Sequence, residues 1–251
     1  LREAQLNRNH TLGFAREYLE KIMHHQAEKE DWETFMDTLA LTIYGVILFP
    51  RIFDYVDFAA IDVFFALKFN SENPVTAILA NIYCTMDFCH ERNGKNILCC
   101  LPMLYVWLTS HVFNQTYKVD CPIADWRVLK LKTKDRSEWS EHLASLTGGK
   151  IRWYPQWMEV TTIVYQCGNY PNVPLIGTRG CINYNPALAQ RQLAYPMLRP
   201  PAEELMSPLV IYYDDAECPE TLQRCSETLR KIRNAWVKVI RKGKELGVRS
   251  H

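Results

Sequence analysis

Cys84, Cys89, His90, Cys99 and Cys100 are side chains of the kind that hold a metal. Thiolates and imidazole bind zinc in a tetrahedron. The spacing argues against such a site, because C-x4-C followed by an adjacent pair matches no common zinc knuckle. Cys99 and Cys100 also fall in an apolar run. A buried free cysteine behaves as a small hydrophobe, so core packing is the favoured reading, with no metal and no cofactor expected. His24 and His25 could be ligands or a base, but they lie at the polar end of an amphipathic segment, where a solvated face explains them. Asp54, Asp57 and Asp62 could suggest a two-metal carboxylate cluster. Their spacings of three and five do not converge on one helical face, so capping and surface charge account for them better. No catalytic residue emerges.

Arg179 and Arg191 form the next candidate. They could bind an anion near Asn185-Pro186, a helix start where backbone N–H groups point outward. The plainer alternative is that Arg191 and Gln192 donate to neighbouring carbonyls and lock this stretch onto the core. If the chain is an enzyme, its site is assembled from dispersed residues around Arg179, Asn183 and Arg191. Loops of the GxxxxGK[ST] or GxGxxG type, a GxSxG elbow and an HExxH helix are all missing from the sequence.

The clearest charge asymmetry is at the end of the chain. From Thr221 to His251 there are nine Lys or Arg residues against Glu227 and Glu245. A last helix is expected over Thr221 to Gly243, with Leu222, Cys225, Leu229, Ile232, Trp236, Val239 and Ile240 turned inward. Arg230, Lys231, Lys238, Arg241 and Lys242 would then form an outer row able to meet phosphates or an acidic partner. A solvated amphipathic helix answering the acidic 203–220 segment is the competing explanation.

Behind these candidates stands a mainly α chain, with any β confined to about 150–185. Helices are expected over Gly13 to Glu30, Trp32 to Leu48 with Asp31 as cap, Asp54 to Phe69, Asn73 to about His90, and Asn96 to Phe113. In the last of these, Pro102 lies in the first turn or marks the true start. Residues 114–136 are polar and basic and suit a loop or insertion. A short helix follows over Ser137 to Leu146. Ile151 to Tyr165 suits a strand or a buried helix. Cys167 to Arg199 carries the densest run of backbone-shaping residues and is expected to form one turn, strand and helix unit against the main body. At Gly177 or Gly180, positive φ or a close backbone approach is expected. Residues 200–220 should be irregular.

The chain has 251 residues, 48% apolar and 23% charged, with a net charge of +1, so it is not a polycation as a whole. A single domain is expected. Nine scattered cysteines and a polar first decapeptide predict reduced thiols in an intracellular protein. The longest apolar stretch, Leu39 to Phe49, is shorter than the ~20 residues a membrane span needs.

NVPLIGTRGCINYNPALAQRQLAYPM, residues 172–197, resembles the signature of the plant mobile domain superfamily. LALTIYGVILFP, NPVTAILANIYCTM, ILCCLPMLYVWLTSH, LTGGKIRWYP and IRNAWVKVIRKGKELG resemble an uncharacterised, legume-rich branch of it. The resemblance implies a mainly helical domain, related to plant transposable elements, with some nuclear relatives. It also implies a further N-terminal portion. No catalytic residue carries over, and the aminotransferase-like label attached to that family finds no cofactor-binding lysine here. The expectation is a non-enzymatic nuclear module that binds protein or nucleic acid.

Overall fold

The computed structural model describes residues 6–8, 11–92, 96–108, 111–112, 135–151, 160–170, 172–192, 210–212 and 219–243. The fold is mainly helical. Its helices are α1 (Arg16–Glu28), α2 (Trp32–Ile43), α3 (Phe58–Asn70), α4 (Val75–Glu91), α5 (Leu101–Leu108), α6 (Arg136–Ala144), α7 (Pro186–Gln192) and α8 (Pro219–Trp236). A π-helical turn, Tyr44–Leu48, continues α2, and a 3-10 turn covers Gly148–Lys150.

Local chemistry explains most starts. The Asp31 carboxylate accepts from the Thr34 amide at the head of α2, and the Asp57 carboxylate accepts from Ala60 at the head of α3. Asp135 and Glu138 make a reciprocal capping box on α6. α5 opens one residue before Pro102, which therefore lies in the first turn, and Ile97 to Cys100 form the lead-in.

Strands are not confined to 150–185. β1 (Leu6–Arg8), β2 (Thr11–Ala15) and β3 (Tyr55–Asp57) form an antiparallel sheet in the order β1-β2-β3. Two expected helix starts are thus strands, and α1 and α3 begin later than their apolar periodicity suggests. Gly13 faces Asp57 across the sheet. A Cβ there would run into the Val56 carbonyl and the Tyr55 ring, so the close approach of β2 to β3 depends on glycine. The Tyr55 hydroxyl donates to the Thr11 carbonyl at 2.9 Å and ties the same pair.

β5 (Val173–Ile176), β6 (Gly180–Tyr184) and β7 (Val210–Tyr212) form a second sheet, and β4 (Thr162–Cys167) pairs antiparallel with β8 (Val239–Gly243). β7 lies within a stretch expected to be irregular. β8 replaces the last turns of the expected C-terminal helix. The chain turns at Val237-Lys238, where the Lys238 amide donates to the Ala235 carbonyl and the Gly168 amide donates to the Lys238 carbonyl. β-branched Val239 and Ile240 then enter the ladder with β4. Ile240, expected to point inward, is exposed. The loop expected over 114–136 lies, up to residue 134, outside the described residues.

Two compact units divide the chain. One holds Leu1–Leu101, Pro174–Tyr184 and Pro208–Asn234, and the other holds Pro102–Val173, Asn185–Ser207 and Ala235–His251. The stretch Cys167 to Arg199 is therefore shared between them rather than forming one unit. In the first, Leu19, Tyr44, Phe49, Val56, Ala60, Phe64, Ile78 and Cys100 make the core, with Phe14, Tyr18 and Ile22 of the α1 side packed against it. In the second, α7 packs on β4, and Ile163, Cys167, Ala187 and Ala189 are buried.

Gly45, in the π turn, touches this first core: a Cβ there would collide with the Val56 side chain. Alanine is favoured over glycine in a helix by about 1 kcal/mol, but forcing volume into a packed core costs roughly 1–3 kcal/mol. Gly45→Ala is therefore expected to lower stability, read as a lower urea midpoint with an unchanged m-value. A raised midpoint would show that the helix preference wins.

Candidate functional site

Among the described residues, the densest group of buried polar side chains lies where α4 meets the β5–β6 turn. Asn81 and Thr85 are a turn apart on α4, and both are buried. The Asn81 carboxamide accepts from the Thr178 amide at 2.9 Å and donates to the Thr178 hydroxyl at 2.7 Å. Both hydrogen-bonding ends of the carboxamide are thus used by one residue 97 positions away. Gly177 makes room for this grip. A Cβ on it would collide with the Asn81 carboxamide oxygen and would meet the Ala77 carbonyl at 3.2 Å. The expected close approach at this glycine is therefore made by a helix carbonyl together with a side chain, without positive φ. The Gly177 amide donates to the Gly180 carbonyl at 2.8 Å and closes the turn.

Arg179 extends the clasp. Its Nη1 donates to the Leu98 carbonyl at 3.0 Å and to the Thr85 hydroxyl at 3.2 Å, while Thr85 itself donates to the same carbonyl at 3.0 Å. One guanidinium thereby joins the turn to α4 and to the segment entering α5. Its charge is also felt by Asp57 and Cys84. Burial raises the Asp57 carboxyl above its ordinary range, and the Ala60 amide and the Arg51 guanidinium, 3.7 Å away, pull it back only in part. Asp54 instead pairs with Arg16 at 2.8 Å, and Asp62 is exposed, so the three aspartates do not converge.

The helix start proposed as an anion site is occupied by its own cap. The Asn185 carboxamide accepts from Ala187 at 3.0 Å and Leu188 at 3.1 Å. The side chain of Arg191 lies outside the described residues. Arg179 and Asn183 belong to the first compact unit and Arg191 to the second.

Cys84, Cys99, Cys100 and Cys181 are buried. Burial pushes the Cys84 thiol up to about 11 and the Cys181 thiol to about 12. Burial likewise takes Cys167 to about 11. These are protonated, inert thiols at neutral pH. Among the described residues no three His, Cys, Asp or Glu side chains gather as metal ligands.

The basic candidates separate. Arg230 and Lys231 lie on α8, Lys238 lies in the turn after it, and Arg241 and Lys242 lie on β8. The first four are exposed. Lys242 is half-buried, with its ammonium 3.3 Å from the centre of the Tyr165 ring. The expected row along one helix does not form, because the helix ends at Trp236.

The family described as Domain of unknown function (DUF7745) matches residues 1–251. The chain belongs to that family. No curated protein and no solved structure matches it.

Gly177 and Arg179 stood out in the sequence, but Asn81 and Thr85 did not, since they sit in an apolar helical pattern that needs no polar anchor. Removing the Asn81 carboxamide strands the Thr178 amide and hydroxyl in a buried site, which costs roughly 1–3 kcal/mol. Asn81→Ala is expected to lose that much in chemical denaturation, and a loss below about 0.5 kcal/mol, the range of an ordinary surface change, would contradict the clasp. In the native protein, iodoacetamide near pH 8 is expected to label Cys89 and Cys225, both partly exposed, well before Cys84, Cys167 and Cys181. Peptide mass spectrometry would show the order, and early labelling of Cys181 would contradict it.

Proposed function

We propose that this chain is a non-enzymatic interaction module whose C-terminal cations meet an anionic macromolecule, in the first instance the phosphate backbone of nucleic acid. The observation that carries the reading is the state of Arg230, Lys231, Lys238 and Arg241. All four are exposed, and none enters an ion pair among the described residues. Exposed cations of this kind can neutralise phosphates and so release the counterions condensed on a nucleic acid, which is the driving force of non-specific phosphate binding. Arg179 supports the same reading from the other side. Its guanidinium is used in holding Leu98 and Thr85, as a structural arginine would be.

The resemblance to plant mobile domains supplies the setting: a nuclear protein of transposable-element-related plant origin. The enzyme alternative, a site around Arg179, Asn183 and Arg191, has less support, because the Arg179 donors already have structural acceptors. No helix among the described residues is long and apolar enough to cross a membrane.

Exposed lysines and arginines contact phosphates without reading bases. Binding to DNA and RNA duplexes is therefore expected to be weak, independent of sequence and steeply dependent on salt. Changing Arg230, Lys231, Lys238 and Arg241 to Gln should weaken it strongly at low salt and flatten the salt dependence by about one unit of log–log slope for each charge neutralised. The melting temperature should hardly move, since exposed charges contribute little to stability. Fluorescence anisotropy at two salt concentrations reads this out. No binding at low salt, or equal binding by the variant, rejects nucleic acid and leaves an acidic protein partner as the reading to pursue.

A further inference from the structure

The helix formed by α2 and its π-helical continuation carries an exposed apolar seam. Trp32, Met36, Leu39, Ile43 and Ile47 follow one another at intervals of four, three, four and four residues. The first three intervals are those of a coiled-coil seam. The last is one residue longer than the heptad alternation calls for, but the π turn, closed by the Phe49 amide on the Tyr44 carbonyl at 2.8 Å, contains an extra residue. That residue brings Ile47 rather than Val46 onto the seam. Leu39 is half-buried, whereas Trp32 and Met36 are each 58% exposed, Ile43 39% and Ile47 42%.

A second apolar pair lies beside this helix. Phe65 and Phe69 of α3 stack at 5.4 Å and are 43% and 69% exposed. The Lys68–Asp37 ion pair fastens this part of α3 to α2, and the Lys68 ammonium also lies 5.8 Å from the centre of the Phe69 ring. All these residues belong to the first compact unit.

We infer that this face is the interface between two copies of the chain, with the α2 helices paired antiparallel about a twofold axis near Leu39. Area supports a second copy. With ~200 Å² for a fully exposed large side chain, the six exposed residues present on the order of 600 Å². That is the upper end of what a monomer leaves uncovered, about 300–600 Å². Interfaces are about 60% apolar, so 600 Å² of apolar surface corresponds to roughly 1,000 Å² per partner, enough for a standard interface of about 800 Å² a side.

Charge selects the antiparallel arrangement. Phe35, Ala40 and Thr42 flank the seam without charge, and Glu33 is the charged flank at its N-terminal end. A parallel pair would bring two Glu33 carboxylates and two positive helix ends together, whereas an antiparallel pair about Leu39 separates the two Glu33 by about 18 Å along the helix axis. It also sets Trp32 opposite Ile47, Met36 opposite Ile43, and Leu39 against its own copy. The Thr38 and Thr42 hydroxyls donate back to the Thr34 and Thr38 carbonyls at 2.8 Å, so burying this helix strands neither group.

Sedimentation velocity of the full chain across a dilution series tests this. A dimer is expected, and Met36→Glu with Ile43→Glu should weaken it by roughly a hundredfold or more while the far-UV circular dichroism stays the same. Leu39→Cys should give a self-crosslinked dimer under mild oxidation. Trp32→Cys alone should not, and Trp32→Cys combined with Ile47→Cys should, with the bridges mapped by mass spectrometry. A wild type that stays monomeric throughout the series overturns the inference, as does a charged variant that dimerises unchanged. Self-crosslinking through Trp32→Cys would overturn the antiparallel arrangement.

Discussion

The first compact unit depends on one buried exchange of hydrogen bonds, between the Asn81 carboxamide and Thr178. An asparagine in the middle of an apolar helix costs free energy unless both ends of its amide are satisfied. Here a single tight turn satisfies both, and the turn in turn borrows its geometry from the helix. Gly177 is the condition for the contact, because any side chain there would occupy the space of the Asn81 oxygen. Bonds of this sort add little net stability when made, and they are expensive to break on one side only. The clasp therefore acts mainly by excluding other placements of the β5–β6 hairpin on α4. Arg179 widens the same constraint to Thr85 and to the Leu98 carbonyl, so the segment around Leu98 is held by the same turn.

Much of this could be read in the sequence, and the exceptions have a common cause. Asp31 before an apolar run, Asn185 before Pro186 and Pro102 near a helix start are local signals, and each acts within one turn of its own position. The strands Thr11–Ala15, Tyr55–Asp57 and Val239–Gly243 have no such signal. Each is three to five residues long and takes its conformation from a partner far along the chain. The apolar period of α8 extends formally through Val239 and Ile240, but pairing with β4 and the stop at Gly168 and Lys238 override it. For the same reason, Gly177 was legible as a special position while its partner Asn81 was not. The need for a glycine is visible at the glycine; what it accommodates is visible only in three dimensions.

The division of polar groups bears on what the molecule can do. Inside, the best-placed donors and acceptors serve the backbone or one another, and burial keeps the thiols protonated. Among what the described surface presents outward are exposed cations near the C-terminal end and an apolar seam on α2. In the readings proposed above, both serve association. On this account the precision of the fold is spent on keeping two surfaces in shape.

Native-state hydrogen exchange at the Thr178 amide tests that account most directly, because this amide donates to the Asn81 side chain rather than to a strand neighbour. If the clasp holds the unit together, the amide exchanges only through global unfolding, with the same free energy and denaturant dependence as the central amides of α4. Exchange through a local opening, much faster than α4 and insensitive to denaturant, would mean that the turn frays independently and that the clasp does not organise the fold.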